Sequence, residues 1–295
     1  IVPLVFSILV AFTNYSNGHI PPTQLFTWTG LENFKNIFSP DPNSTFAVLP
    51  QALAKTVSWT LIWALVATFS NYILGIIVAL MINKDGIKLK GLWRTVFMMT
   101  IAVPQFISLL SIGTLLKDNG AIGVWFTETF GQRMGFGTDG SPQGVLIAKI
   151  VIIVVNIWVG IPYTILSTTG ILQNIPGELY EAAKIDGATA PIIFRKITLP
   201  YMIFVMTPNL ITAFTGNINN FNVIFLLTGG GPESMDYYYA GKTDLLVTWL
   251  YRLTITQKDY NLGSVIGILT FVILAVVSLI TFRNTASYKD EGAFQ

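Results

Sequence analysis

An all-α polytopic membrane fold is what this sequence predicts, and three observations predict it. Hydrophobic residues make up 52% of the 295 positions and charged ones only 11%. Mean hydropathy is +0.62. Long apolar runs recur along the whole chain, separated by short polar connections. An ordinary soluble domain is roughly 25% charged, so 17 Lys plus Arg and 15 Asp plus Glu are too few to coat a water-facing surface. The length accommodates about six spans of ~20 residues with their connections.

The first run, 1–12, is too short to cross ~30 Å of hydrocarbon at ~1.5 Å per residue. It reads as the second half of a truncated helix, and the chain opens on Ile1-Val2-Pro3 with no Met, so an upstream part is expected. The second, 57–81, holds no charge and meets its stop at Asn83-Lys84-Asp85-Gly86. The third, 92–116, has Pro104 in its middle, where a missing N–H and a displaced carbonyl predict a kink or break. The fourth, 144–172, carries the Trp158-Val159-Gly160-Ile161-Pro162-Tyr163 step, again a predicted bend. The fifth, 200–227, is interrupted by the polar string Gly216-Asn217-Ile218-Asn219-Asn220. The sixth, 262–282, is free of charge and ends at Arg283. Between the first two, Leu31, Phe34 and Phe38 share a helical face suited to the membrane interface.

Lys and Arg counts orient the spans. With the first half-helix leading outward, the inner connections (82–91, 173–199, 283–295) hold eight basic residues in 50 positions. The outer ones (13–56, 117–143, 228–261) hold seven in 105. That twofold density bias puts loop 173–199 on the inner side, with Arg94 at the inner mouth of its helix. Lys149 falls inside the fourth run, where its stem either snorkels to the headgroups or faces a polar cavity.

Several classes of chemistry are poorly supplied. There is no Cys for a disulfide or thiolate metal site, and His19 is the one histidine, outside the spans, so a catalytic dyad or histidine metal centre is not expected. A net charge of +2 without a dense basic cluster argues against nucleic acid. An intramembrane enzyme would need a paired nucleophile and base, and a stand-alone secondary transporter would usually carry mid-depth acids. Here Asp and Glu are confined to the connections.

The most informative stretch is loop 173–199. It opens on Pro176-Gly177-Glu178, continues Glu181-Ala182-Ala183-Lys184-Ile185-Asp186-Gly187-Ala188, and closes on Phe194-Arg195-Lys196-Ile197-Thr198-Leu199-Pro200. An acidic first turn suits the helix dipole, two alanines give a helix with little bulk, and Gly187 can turn the chain. Pro200 is suited to the first turn of the returning span. Composition alone leaves two readings open, a plain connection and a short helix able to transmit force to a partner.

The spacing Glu181-Ala182-Ala183, Gly187, Ile197, Leu199, Pro200 resembles the EAA loop signature of ABC importer permeases. Seven specified residues would recur by chance on the order of 10⁻⁸ per window at ordinary usage. Ala11-Phe12-Thr13-Asn14-Tyr15, Gly30 to Phe38, Ala102-Val103-Pro104, Tyr163, Asn219-Asn220-Phe221 and Thr228-Gly229-Gly230-Gly231-Pro232 extend the likeness to nearly the whole chain. Ala240-Gly241-Lys242-Thr243-Asp244-Leu245-Leu246-Val247 with Tyr251-Arg252 is similar to the maltose/maltodextrin permease subunits of the MalF type.

The resemblance implies a MalF/MetI-like transmembrane domain in a bacterial cytoplasmic membrane, an importer subunit for maltodextrin-type oligosaccharides or for another cargo such as a different oligosaccharide or glycerol phosphate. It implies a second permease subunit, two copies of an ABC ATPase that hold ATP and Mg, and an extracytoplasmic sugar-binding protein. No cofactor is implied on this chain, which has no G-x-x-x-x-G-K-[ST] string. Glu181, Ala182, Ala183, Asp186 and Gly187 would couple to the ATPase. Matched sugar contacts are Ile101, Gln105, Tyr163, Ala213, Gly216, Asn217 and Asn220. Gln105 and Ala213 stand where Ser is found in the MalF pattern, and Gly216 where Phe is found. As chemistry, the amides can donate and accept to sugar hydroxyls and Tyr163 can stack on a sugar face, while bonding between helices is the plainer use of mid-membrane amides. Gly229 to Pro232 reads as a tight outer turn rather than a ligand cradle.

Overall fold

The computed structural model describes residues 1–22, 24–84 and 86–283. Lys289, counted above on the inner side, lies outside the described residues, as does Asp85 in the predicted stop of the second span. In chain order the helices are α1 (Val2–Val10), α2 (Glu32–Phe38), α3 (Leu49–Asn83), α4 (Lys90–Ala102), α5 (Gln105–Leu116), α6 (Ala121–Phe130), α7 (Pro142–Gln173) and α8 (Gly177–Ile185). Then follow α9 (Ala190–Ile193), α10 (Leu199–Ile218), α11 (Phe221–Thr228), α12 (Leu246–Tyr251) and α13 (Tyr260–Arg283).

Among the described residues, four helical runs are long and apolar enough to cross a bilayer: α3, α7, Ala190–Ile218 and α13. A bent pair, α4 with Gln105–Phe130, supplies a fifth. With α1 as a nine-residue helix too short to cross alone, this is the multi-pass, all-α membrane fold that the sequence predicts. Each apolar run corresponds to an element, and three boundaries or breaks differ.

The first concerns α3, which begins at Leu49 rather than near 57. Its polar opening turns are helical although hydropathy excludes them: Lys55 Nζ sits 4.7 Å from the centre of the Tyr237 ring, so a cation there finds an aromatic face. The second concerns Pro200, which does not open its span. The helix starts at Ala190-Pro191 and passes through a wide π turn, Phe194–Thr198, into α10. At the end of that turn the Leu199 N–H reaches back five residues to the Phe194 carbonyl, which shifts the bonding pattern just before a residue that has no N–H to give. The third is Pro162, which lies inside a continuous helix rather than at a break. Helix α7 runs uninterrupted past it, and Ile161 and Ile165 on either side pack with Ala79, Ile82 and Phe97.

The described residues form two compact units. One takes in Ile1–Ala64, Phe106–Val154 and Asn217–Val276; the other takes in Leu65–Gln105, Val155–Gly216 and the residues from Val277. In the first, Ala11, Ile37, Leu49, Trp249, Leu253, Leu262 and Val265 belong to one buried cluster. Asn33 on α2 fastens it, with Nδ2 donating to the carbonyls of Ala11 (2.9 Å) and Thr13 (2.7 Å) and its oxygen accepting from Asn261 Nδ2 (3.0 Å). Carbonyls at the end of α1 have no helical donor, and Asn33 supplies one. Leu31 and Phe38 stay exposed, while Phe34 on the same face packs against that core.

In the second unit, α3 and α7 approach closely. A Cβ on Gly75 would lie 2.6 Å from the Thr164 side chain, and one on Gly160 would lie 2.7 Å from Asn71 Nδ2. A further cluster joins Ile171, Met202 and Met206 to Tyr72 and Ile76. Arg94 Nη2 donates to Asn83 Oδ1 (2.6 Å), Lys90 Nζ to the Asn83 carbonyl (3.1 Å), and Asn83 Nδ2 to Thr169 Oγ1 (3.0 Å). Two cations thereby serve the carbonyl end of α3, where the helix dipole favours positive charge.

Candidate functional site

The polar interruption in the fifth span becomes a break between α10, ending at Ile218, and α11, starting at Phe221. A break inside a membrane leaves carbonyls and N–H groups without helical partners, and each must be answered locally. Asn220 is the N-cap of α11, its Oδ1 accepting from the Val223 N–H at 3.2 Å. Its Nδ2 donates to Asn217 Oδ1 at 3.2 Å. The Asn217 carbonyl accepts from the indole N–H of Trp63 at 3.1 Å and from the Asn220 N–H at 3.3 Å. Both asparagines are half-buried, so the two amides stand side by side at the break with part of their bonding capacity committed to holding it.

The remaining matched positions lie in the other unit. Ile101 and Gln105 are exposed on either side of the break between α4 and α5. There Val103 is extended (φ −77°, ψ 122°) as a residue before proline prefers. Tyr163 is 67% exposed on α7. Ala213 is half-buried and Gly216 exposed on the last turns of α10, and a Cβ on Gly216 would meet nothing within 4 Å.

The loop 173–199 holds a discrete helix, α8, that starts at Gly177 with Glu178 in its first turn. Gly187 stops it at φ +73°. The Gly187 N–H donates to the Lys184 carbonyl (3.1 Å) and the Ala188 N–H to the Ala183 carbonyl (2.9 Å), the paired bonds of a Schellman stop. The second alanine and the glycine of the signature are therefore two ends of one hydrogen-bonded device. None of the residues of α8 is buried: Glu181, Ala182 and Asp186 after it are exposed, Ala183 is half-buried, and the apolar Leu179 and Ile185 are 45% and 86% exposed. Two anchors that the sequence reading missed tie the loop to the base of α10. Tyr180 Oη lies 3.1 Å from Thr198 Oγ1, and Tyr201 Oη donates to the Asn174 carbonyl at 3.5 Å. Tyr180 sits beside the Glu-Ala-Ala string, and Thr198 follows Ile197 in it; their pairing needs the fold to be seen.

A second feature missed by sequence is the packing of segment 228–252. Gly229 and Gly230 have φ of +61° and +84°, as the tight turn predicts. Asp244 is buried; its Oδ2 accepts from the Gly241 N–H at 2.7 Å and lies 3.5 Å from Arg252 Nε. Burial raises the Asp244 carboxyl above its ordinary pKa more than Arg252 and the Gly241 N–H lower it. Arg252 also bonds Glu233 Oε1 (2.6 Å) and the Gly229 carbonyl. A Cβ on Gly230 would collide with Asp244 and one on Gly241 with the Gly230 carbonyl. Trp59 Nε1 donates to the Thr243 carbonyl (3.1 Å) and Thr60 Oγ1 accepts from the Leu246 N–H (3.1 Å), so the Gly-x-Thr-Asp-Leu-Leu string is fastened to α3. Lys149 Nζ stands 4.1 Å from the centre of the Trp59 ring.

Comparison with known proteins follows the same lines. The family model described as "Binding-protein-dependent transport system inner membrane component" matches residues 71–286. The chain is 39% identical over 295 residues to the galactooligosaccharides transport system permease protein GanP of Bacillus subtilis, covering 99% of this chain and 68% of that one. It is 38% identical over 300 residues to the maltodextrin transport system permease protein MdxF of the same organism, covering 99% and 66%. To the maltose/maltodextrin transport system permease protein MalF of Escherichia coli it is 31% identical, covering 97% and 54%. Thus it spans about two thirds or less of the length of these relatives. In fold it is similar to a crystal structure of a bacterial ABC transporter involved in import of the acidic polysaccharide alginate (TM-score 0.72, 21% identity, covering 96% of this chain and 88% of that one).

Proposed function

Because the chain belongs to the family of binding-protein-dependent transport system inner membrane components, we propose that it is the membrane-spanning permease subunit of an ATP-driven sugar importer and that its cargo is an oligosaccharide of the maltodextrin type. The observation that carries this reading is likeness over 99% of the chain to permeases of oligosaccharide transport systems. A galacto-oligosaccharide is the second reading, favoured by the equal likeness to the galactooligosaccharide permease. Uptake by vesicles containing the complete transporter, offered labelled maltotriose and labelled galactotriose, decides between them. Accumulation of neither, with ATP supplied, removes both.

The mechanism assigns work to the two sites. Asn217 and Asn220 present amide donors and acceptors to sugar hydroxyls, and Gln105, Tyr163, Ile101, Ala213 and Gly216 complete the contact set. The open space at Gly216 favours a bulkier sugar than a permease with Phe there admits. No step of catalysis is assigned to this chain; ATP and Mg are held by the two ATPase copies. Helix α8, on the inner side of the proposed topology, docks on the ATPase through Glu181, Leu179 and Ile185, with Ala182 and Ala183 giving close approach and Asp186-Gly187 shaping its end. Tyr180–Thr198 and Tyr201–Asn174 then carry closure of the ATPase pair into α10. A second permease subunit and an extracytoplasmic sugar-binding protein complete the assembly.

A further inference from the structure

We infer that Trp63 is the positioning residue for the amide pair of the broken span, holding Asn217 and Asn220 in the orientation that meets the sugar. This rests on the sugar-import reading. The indole is fully buried, and its N–H donates to the Asn217 carbonyl at 3.1 Å. An indole N–H inside a membrane protein must find an acceptor. Carbonyls of an intact helix are already engaged by the next turn, so a helix break is where a buried donor finds one.

The consequence reaches both asparagines. The Asn217 carbonyl that Trp63 holds also takes the Asn220 N–H, at 3.3 Å, and the two side chains are joined by Asn220 Nδ2 donating to Asn217 Oδ1 at 3.2 Å. Fixing that carbonyl fixes the peptide plane from which the Asn217 side chain departs, and through the amide bond it fixes Asn220. Trp63 does not touch the sugar; it acts through the backbone.

One turn earlier on α3, the molecule provides its own control. Trp59 has its ring centre 6.4 Å from that of Trp63 and makes the same kind of bond, at 3.1 Å, to the carbonyl of Thr243 instead. Loss of either N–H removes one indole–carbonyl bond from the same helix. Only the loss at Trp63 releases the amide pair.

The test is uptake of labelled maltotriose, or galactotriose if that is what the wild type carries, by vesicles holding the complete transporter, across a concentration series. The variants are Trp63→Phe, an isosteric benzothienylalanine at position 63 that has sulfur in place of the N–H, Trp59→Phe, Asn217→Ala and Asn220→Ser. Both changes at position 63 should raise the half-saturating concentration about fivefold with little change in maximal rate, as the loss of one buried hydrogen bond implies. Trp59→Phe should leave it unchanged. If Asn217→Ala raises the half-saturating concentration and the benzothienylalanine variant does not, the inference falls and the sugar site stands. An equal rise in Trp59→Phe would also overturn it, as general loosening of α3. If neither asparagine variant shifts the value, the assignment of the sugar site itself is wrong and this inference goes with it.

Discussion

Segment 228–252 and loop 173–199 are both connections between spans, both carry several charges, and they treat their polar groups in opposite ways. In the first, Asp244, Thr243, Trp249 and Leu246 are all buried. Asp244 and Glu233 are turned on Arg252, and Gly230, Gly231 and Gly241 sit where a Cβ would collide. In the second, α8 closes its own backbone with a Schellman stop and, Tyr180 and Ala183 apart, leaves its side chains exposed, two large apolar ones included. A connection that consumes its polar groups internally is a fixed part of the scaffold. One that satisfies only its backbone presents a rigid surface for something else, and an 86% exposed isoleucine beside the Glu-Ala-Ala string is what such a surface requires.

That contrast can be broken most severely at Arg252. Arg252→Ala leaves the buried Asp244 without its cation, and loss of one partner from a buried pair typically costs about 3–5 kcal/mol. Thermal unfolding of the purified subunit should show a large fall in midpoint, whereas Glu181→Ala should shift it by less than about 0.5 kcal/mol, as an exposed substitution. Equal effects would erase the distinction between the regions.

At Gly187 the expected loss is in function. A valine there must adopt φ +73°, at roughly 1–2 kcal/mol for a residue with a Cβ, and the stop of α8 is disturbed. Gly187→Val should lower uptake about tenfold in reconstituted vesicles while ATP hydrolysis becomes independent of sugar. Retained coupling would mean that the end of α8 has no part in the joint. Tyr180→Phe removes one hydroxyl contact with Thr198 and should cost about 1 kcal/mol of local stability, visible as faster hydrogen exchange over residues 177–187.

The smallest effect concerns pH. Because burial raises the Asp244 carboxyl above its unfolded value, its contribution favours the folded state most fully below the ordinary Asp pKa and is lost as pH rises through the raised one. Stability of segment 228–252 should therefore increase as pH falls through the raised pKa toward the ordinary Asp value, and Asp244→Asn should flatten that slope. A slope unchanged in the variant would show that another group is responsible.

The sequence made the spans legible because hydropathy and membrane thickness are local quantities. The breaks were legible where Pro104 and the Asn217–Asn220 string stand in apolar surroundings. Pro200 misled because a proline reports what its own residue lacks, and not whether a π turn before it carries the helix through. The glycine of the loop signature was readable as a turn, yet the bonds around it, Gly187 N–H to Lys184 and Ala188 N–H to Ala183, were not, since the pairing lives in the backbone. Trp63 was hidden altogether. A tryptophan in an apolar run looks like core, and only the position of the Asn217 carbonyl, 154 residues away in sequence, shows what its N–H is for.

In the proposed function, α8 is the joint with an ATPase on another chain. These 295 residues contain no cysteine, so single cysteines at positions 181 and 185 can be read cleanly by crosslinking in the assembled transporter. Both should crosslink to the ATPase, with a yield that changes with ATP. Labelling of those cysteines from the extracytoplasmic side, or an assembled transporter that gives no ATPase crosslink from either position, would contradict it.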